Sequence, residues 1–157
     1  MEHDARSVAN EFIRRGIDAS NPLTPLQVQK LVYFAHAWML GIYGRPLINE
    51  PFEVWKYGPV VPVVYYCLRH YGGDPVTEPL PNHPDDFKDD FDAAEQDILG
   101  QVFDIYGDLS GPRLITLTHL GGTPWDQAKK KGNWYISDDT IKHYYAKKAA
   151  EARREYK

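Results

Sequence analysis

The chain has little of what stabilises secreted proteins or anchors proteins in membranes. Cys67 is the one cysteine among 157 residues, so no intrachain disulfide can form, and a lone thiol is typical of a reducing compartment. Residues Met1 to Arg6 lack the basic-then-apolar order of a secretion signal. The longest apolar-rich stretch, Leu31 to Gly44, is shorter than the ~20 residues that a membrane-spanning helix needs. We therefore expect a soluble, cytoplasmic protein with no membrane partner.

The usual catalytic and metal-binding spacings are also missing. There is no His-Glu-x-x-His, no Cys-x-x-Cys, no Gly-x-x-x-x-Gly-Lys-Ser/Thr loop and no Gly-x-Ser-x-Gly turn. The acidic run from Asp85 to Asp97 lacks the residue order of a calcium loop, so a solvated loop is favoured there. No motif therefore predicts a catalytic residue, a metal or a cofactor, and a catalytic site could still be assembled from residues that are distant in the sequence.

Histidines are the remaining candidates for acid–base chemistry. His36 lies in an apolar helical segment, where a core histidine hydrogen-bonded to a neighbour is favoured over a catalytic one. His70, His119 and His143 fall near predicted helix ends, where they can cap the helix or interact with its dipole. A hydrolase or transferase built on His36 or His119 is the least favoured function, and it requires a carboxylate or nucleophile within hydrogen-bonding reach.

The most apolar segment predicts a helix at the centre of the domain. Thr24 can cap it, Pro25 is tolerated at its first position, and Gln27 completes a capping box. From Leu26 to Tyr43 the residues are apolar nearly all round the helix, which indicates that other elements surround it. The central helix is predicted over about residues 25–43.

An aromatic and proline-rich run follows the central helix. Residues Phe52 to Lys56 alternate between apolar and charged side chains, which predicts a short edge strand. Because the residue before a proline avoids the helical region, Val61 should lie just outside a helix that starts at Pro62.

Other helices are predicted from apolar periodicity and cap residues. They cover about residues 5–18, 62–71, 93–106, 111–119, 124–131 and 138–157. Residues 74–92 form an acidic, proline-rich connection with nothing that could contribute to a core, so we expect a mobile loop. The predicted fold is mainly α: a compact bundle of about six helices around the central one, with a small β element near 52–56, in one domain over residues 1–157.

Charge is distributed unevenly along the chain. The formal net charge is −4, yet nine of the 18 Lys and Arg residues and only four of the 22 Asp and Glu residues lie from residue 128 onward. The predicted C-terminal helix, 138–157, is therefore basic. A solvated helix face is favoured over contact with nucleic acid, since no recognition-helix pattern or aromatic stacking surface accompanies this charge. A nucleic-acid-binding regulator using this helix is the alternative function.

The central helix and the run after it carry a recognisable pattern. It reads Leu26-x-x-Gln29-Lys30-Leu31-x-Tyr33-x-Ala35-x-x-Trp38, then Pro46-Leu47, then Glu53-x-Trp55-x-Tyr57-Gly58-Pro59-Val60-Val61-Pro62-x-x-Tyr65. This pattern resembles the Panacea domain, a family that includes SocA-like antitoxins and the phage-associated protein GepA. The similarity runs from about Leu23 through Thr123-Pro124-Trp125 to the last helix.

The resemblance implies a small helical antitoxin of a bacterial or phage toxin–antitoxin system. Its partner would be a cognate protein toxin, neutralised by direct protein binding without enzymatic activity. In the SocA-like branch the antitoxin also resembles a proteolytic adaptor that delivers the toxin to the ClpXP protease.

Candidate partner-binding residues come from this pattern and from the aromatic content. The chain has four tryptophans and eleven tyrosines, residue types that dominate the energetics of protein interfaces. Gln29, Lys30 and Glu53 form either a buried polar cluster that fixes the packing, which is favoured, or a pocket for a peptide of the partner. The predicted partner-binding residues are Gln29, Lys30, Glu53, Trp55, Tyr57, Pro59, Val60, Tyr65 and Trp125. We expect a segment of the toxin to dock there, with pairing to the edge of the 52–56 strand as one form of contact.

Overall fold

Seven α-helices and one small antiparallel sheet make up the described part of the chain, residues 2–81 and 90–155 of a computed structural model. The helices are α1 (Ala5–Asp18), α2 (Pro25–Trp38), α3 (Pro62–Leu68), α4 (Ala93–Tyr106), α5 (Gly111–His119), α6 (Pro124–Lys130) and α7 (Asp138–Glu155), and the strands are β1 (Phe52–Trp55), β2 (Gly58–Val60) and β3 (Tyr135–Ile136). The predicted mainly α fold with a small β element is confirmed. None of the helices described combines the length and apolar character needed to cross a bilayer.

Helix α2 lies at the centre of the core. Every residue from Val28 to Ala37 is buried, as expected for a helix that is apolar on all sides. The predicted capping box is present: the Gln27 N–H donates to Thr24 Oγ1 at 3.3 Å, and the Thr24 N–H donates to Gln27 Oε1 at 2.8 Å. The predicted start of this helix is therefore confirmed.

The central helix changes its winding before it ends. Residues Met39–Tyr43 form a π-helical segment that stops at Gly44, whose φ is +75°. Within this segment Gly41 lies against α7, where a Cβ atom would come within 2.7 Å of the Tyr145 backbone. The missing side chain lets α7 approach the central helix closely.

One buried histidine joins α2 to α7. His36 Nε2 donates to Asp138 Oδ1 at 2.8 Å, while Nδ1 accepts from the N–H groups of Leu47 and Ile48, both at 3.2 Å. Two backbone donors at Nδ1 require that nitrogen to carry no proton, which assigns the Nε2–H tautomer. The residue is 1% exposed. The favoured interpretation of His36, a hydrogen-bonded core histidine, is confirmed.

The sheet has the order β2-β1-β3, so β1 is its central strand. Phe52 pairs with Ile136 on one side, and Trp55 pairs with Gly58 on the other. The prediction of an edge strand over 52–56 is therefore wrong. Its outer neighbour β3 has two residues, too few to produce the alternation by which a strand is recognised in a sequence.

The acidic connection begins as an ordered segment. Val76 and Leu80 are buried, the Val76 N–H donates to the Leu23 carbonyl at 2.7 Å, and the Leu80 N–H donates to Asn10 Oδ1 at 2.7 Å. The expectation that nothing in 74–92 contributes to the core is wrong for these two residues, because each is tied by a backbone donor to α1 or to the loop after it. The mobile loop is predicted over 74–92, and residues 82–89 of that range lie outside the described residues.

Candidate functional site

The candidate site is built on the β1–β2 hairpin. Since Trp55 pairs with Gly58, Lys56 and Tyr57 form a two-residue turn at the surface. Gly58 has φ of +110°, and a Cβ atom there would lie 2.7 Å from Thr118 Oγ1 and 3.0 Å from Lys30 Nζ. Glycine alone combines this conformation with this close approach, so the hairpin packs directly against α2 and α5.

Two polar side chains of α2 hold the junction between β2 and α3. The Gln29 side chain accepts from the Val61 N–H at 2.9 Å and donates to the Val61 carbonyl at 3.3 Å, and Lys30 Nζ donates to the Pro59 carbonyl at 3.0 Å. These bonds satisfy backbone groups that leave the sheet at the start of α3. Gln29 and Lys30 therefore take part in the packing of this junction, and their role toward a partner stays a prediction.

Glu53 does not join this pair. Its carboxylate accepts from Trp55 Nε1 at 2.9 Å, along the half-buried part of β1. The expected three-residue polar cluster is therefore two separate arrangements, one fixing the β2–α3 junction and one orienting the Trp55 indole.

Trp125 supports the hairpin from behind. Its Nε1 donates to the Trp55 carbonyl at 2.9 Å, its ring stacks on His119 at 3.9 Å between centroids, and Lys129 Nζ lies 4.7 Å from the ring centroid. Trp125 is itself buried. It therefore fixes the position of Trp55 and presents little surface of its own to a partner.

A groove lies between α2, the hairpin and α3, and we call it the hairpin groove. Its volume is about 480 Å³. Six of the nine predicted partner-binding residues line it: Gln29, Lys30, Trp55, Tyr57, Val60 and Tyr65. Glu53, Pro59 and Trp125 do not line it, and Pro59 and Trp125 are buried. The structure therefore gathers most of the predicted residues at one surface.

The groove also contains residues that the sequence analysis missed. Leu26, Val64 and Leu68 contribute apolar lining, and Lys56 and Arg69 contribute cations. Val64, Tyr65, Leu68 and Arg69 recur at the spacing of one helix face. That periodicity is the signal in the sequence that identifies them.

Aromatic rings form one wall of the groove. The Trp55 and Tyr65 rings meet edge to face at 4.9 Å between centroids, and Tyr66 stands beside Tyr65 at 5.4 Å. Tyr57 is 58% exposed, and Tyr65 is also exposed. A rigid wall of partly exposed aromatics above an aliphatic floor is typical of surfaces that receive an apolar side chain of a partner.

The electrostatics of the groove are one-sided. Lys30 is fully buried, and among the described residues its ammonium forms no ion pair. Desolvation lowers the pKa of Lys30 to about 7. Lys56 and Arg69 add two more cations, and no aspartate or glutamate is among the lining residues.

The enzyme hypothesis requires His36 or His119 to lie in a concave site with a carboxylate or nucleophile within hydrogen-bonding reach. The described residues do not form such a site. Burial first, and then the charges of Lys30 and Lys129, lower the pKa of His119, and its buried Nε2 has no hydrogen-bond partner there. His36 does contact a carboxylate, but both of its ring nitrogens are occupied inside the core. Across residues 2–81 and 90–155 no group of three or more His, Cys, Asp and Glu side chains could hold a metal ion.

The chain folds into a small, mainly helical domain with a groove beside its hairpin, built from an aliphatic floor and an aromatic wall. Residues 28–126 match the family model described as "Antitoxin SocA-like, Panacea domain". Antitoxin SocA of Caulobacter vibrioides (strain NA1000 / CB15N) is 36% identical over 135 residues, which span 78% of this chain and 69% of that protein. No solved structure gives a significant match. The chain therefore belongs to the SocA-like Panacea-domain antitoxin family.

Proposed function

We propose that this protein is the antitoxin of a toxin–antitoxin pair and that it neutralises its toxin by binding it directly in the hairpin groove. Membership of the SocA-like family supports the antitoxin role. The observation that carries the choice of site is the convergence of six predicted residues on one groove, with an aliphatic floor and an aromatic wall. No catalytic step is part of this function.

Side chains of the toxin, rather than an added strand, are the expected contact. β1 is paired on both sides. At the end of β2, Lys30 binds the Pro59 carbonyl and Gln29 binds both polar backbone groups of Val61. A partner strand would have to displace these bonds, so pairing at an edge of the 52–56 strand is not part of the proposed contact.

Co-expression with the protein encoded by the neighbouring gene tests the proposal. Tyr57→Ala and Tyr65→Ala are expected to abolish protection of the host from that protein, because each removes an exposed aromatic ring from the groove. Tyr135→Ala is the matched control, since Tyr135 is also exposed but does not line the groove. Full protection by both groove variants, at the same protein level as the control, would refute this site.

A proteolytic adaptor role is the finer form of this proposal. If the toxin is removed by delivery to ClpXP, protection requires both the groove and an active protease. If binding alone blocks the toxin, protection persists in a host that lacks ClpX. The groove variants should fail in both hosts, because capture of the toxin precedes either outcome.

The alternative, a nucleic-acid-binding regulator, predicts a different response. The cations of α7 include the exposed Lys142, Lys147 and Lys148. Binding of the full chain to its own promoter DNA, weakening steeply with salt and lost when these lysines become glutamines, would favour that function. Groove variants would then leave DNA binding unchanged.

A further inference from the structure

The most unusual group in the hairpin groove is a buried cation without a counterion. Lys30 is 0% exposed, and its ammonium makes one hydrogen bond, to the Pro59 carbonyl at 3.0 Å. An ammonium carries three N–H donors, so two remain without a described partner. Burying a charge is costly unless it is paired. Replacement by an apolar residue would avoid that cost, which makes a packing role alone a poor explanation for a lysine here.

The surroundings of Lys30 add positive charge rather than compensating for it. Lys56 in the hairpin turn and Arg69 after α3 line the same groove. His119 on α5 is also near, because burial and then the charge of Lys30 lower its pKa. Thr118 contributes a hydroxyl group close to the position of Lys30 Nζ. The groove is therefore complementary to a ligand that brings negative charge together with apolar surface.

We infer that the hairpin groove receives an apolar segment of the toxin that carries an aspartate or glutamate. Because the ammonium of Lys30 has no exposed surface in the free chain, binding shifts the hairpin enough to uncover it, and the carboxylate then pairs with it. The inference rests on the proposed function and specifies the chemistry of the bound segment. Leu26, Val60, Val64 and Leu68 would contact its apolar side chains, while Trp55 and Tyr65 would enclose it from the side. Lys56 and Arg69 would attract the acidic segment during the encounter.

The pairing makes binding depend on pH with a definite sign. A carboxylate beside Lys30 raises the pKa of that ammonium, so the complex holds its proton more tightly than the free protein does. Affinity is then highest where free Lys30 is already protonated, and it falls as the pH rises above about 7. Burial first, and then the charges of Lys30 and Lys129, lower the pKa of His119. It therefore contributes less to the profile than an ordinary histidine would.

Calorimetric titration of the full chain with the protein encoded by the neighbouring gene tests the inference. Lys30→Met keeps most of the buried stem and removes the charge, so binding at about pH 6.5 should weaken about ten- to a hundredfold. Lys131→Met, an exposed lysine outside the groove, should bind like the original chain. Between about pH 6.5 and pH 8.5 the original chain should lose roughly tenfold in affinity, and Lys30→Met should show no such loss.

A second measurement places the substitutions in the toxin, so its result does not depend on whether Lys30→Met alters the fold of this chain. Each aspartate and glutamate of the toxin is replaced in turn by its amide. One of these toxin variants should bind the original chain as weakly as the original toxin binds Lys30→Met. Combining that toxin variant with Lys30→Met should weaken binding little further, because both changes remove the same pair.

The possible failures are distinguishable. If the original chain does not bind the toxin, the proposed function itself fails. If a folded Lys30→Met binds as tightly as the original chain with the same pH profile, or if no amide replacement weakens binding, the proposed function stands and the pairing with Lys30 is refuted. If a peptide ending in a free carboxylate competes and the toxin's acidic side chains are dispensable, the charge comes from a chain terminus and the inference is also refuted.

Discussion

His36 and Asp138 are joined by a 2.8 Å hydrogen bond although 102 positions separate them in the chain. The bond holds the start of the C-terminal helix against the central helix, and the same imidazole accepts from two backbone N–H groups of the loop at Leu47 and Ile48. The central helix, the C-terminal helix and the loop at residues 47–48 are therefore all held by one imidazole ring in its Nε2–H tautomer.

Replacing this ring should destabilise the whole domain. His36→Leu leaves the buried N–H groups of Leu47 and Ile48 without an acceptor, so we expect the free energy of unfolding to fall by about 3 kcal/mol. Urea denaturation followed by circular dichroism measures the change. His143→Leu is the matched control, because His143 is exposed on α7, and its effect should stay within about 0.5 kcal/mol. Equal stability of the two variants would contradict this role.

The bond from Trp125 to the hairpin is a second test of the scaffold. Trp125→Phe removes the donor to the Trp55 carbonyl and part of the buried ring, which should lower the free energy of unfolding by about 2 kcal/mol. Trp134→Phe serves as the control, because Trp134 is 73% exposed. A thermal melt of each variant compares them, and a larger loss for Trp134→Phe would show that the support from Trp125 is overestimated.

Gly58 sets the distance between the hairpin and α2. Gly58→Ala forces a Cβ atom to 2.7 Å from Thr118 Oγ1 at a φ of +110°, so the combined strain and crowding should cost about 3 kcal/mol. Gly73→Ala introduces a Cβ atom with nothing within 4 Å and should leave the melting temperature almost unchanged. If Gly58→Ala and Gly73→Ala have the same melting temperature, the hairpin does not depend on this close approach.

The buried ammonium of Lys30 predicts how stability changes with pH. Desolvation lowers its pKa from 10.5 to about 7 in the folded chain. Between these values the unfolded chain binds the proton and the folded chain does not, so stability rises with pH, by up to about 1.4 kcal/mol per unit. The gain is absent below pH 7, where the folded protein must hold the buried charge.

Comparing the original chain with Lys30→Met from about pH 7 to pH 9 isolates this contribution. The variant should be more stable at the lower pH, and the difference should shrink as the pH rises. If the free energy of unfolding changes with pH in the same way for both proteins, Lys30 keeps an ordinary pKa inside the fold.

Local signals predicted the helices and the start of the central helix well. Thr24, Pro25 and Gln27 identify the start of α2 through a capping box that three neighbouring residues complete by themselves. The same is true of Val61 before Pro62, where the backbone restriction is local. Such features need no information about the rest of the chain.

Long-range features could not be read in the same way. The covering of β1 by β3 and the burial of Val76 both depend on residues far away in the chain. The candidate site divides along the same line. Residues of the aromatic run were predicted. The helical spacing of Leu68 and Arg69 is visible in the sequence, but their place in the groove depends on how α3 packs beside the hairpin.

The contact of Gly41 with the Tyr145 backbone has a practical consequence for dissecting the molecule. The basic C-terminal helix is seated in the winding change of the central helix, so it cannot be deleted as though it were a detachable tail. Cutting the chain after Ala146 would remove the buried Ala149 and uncover the surface beneath it. Substitutions confined to its outer lysines are therefore the way to separate the charge of this helix from its part in holding the fold together.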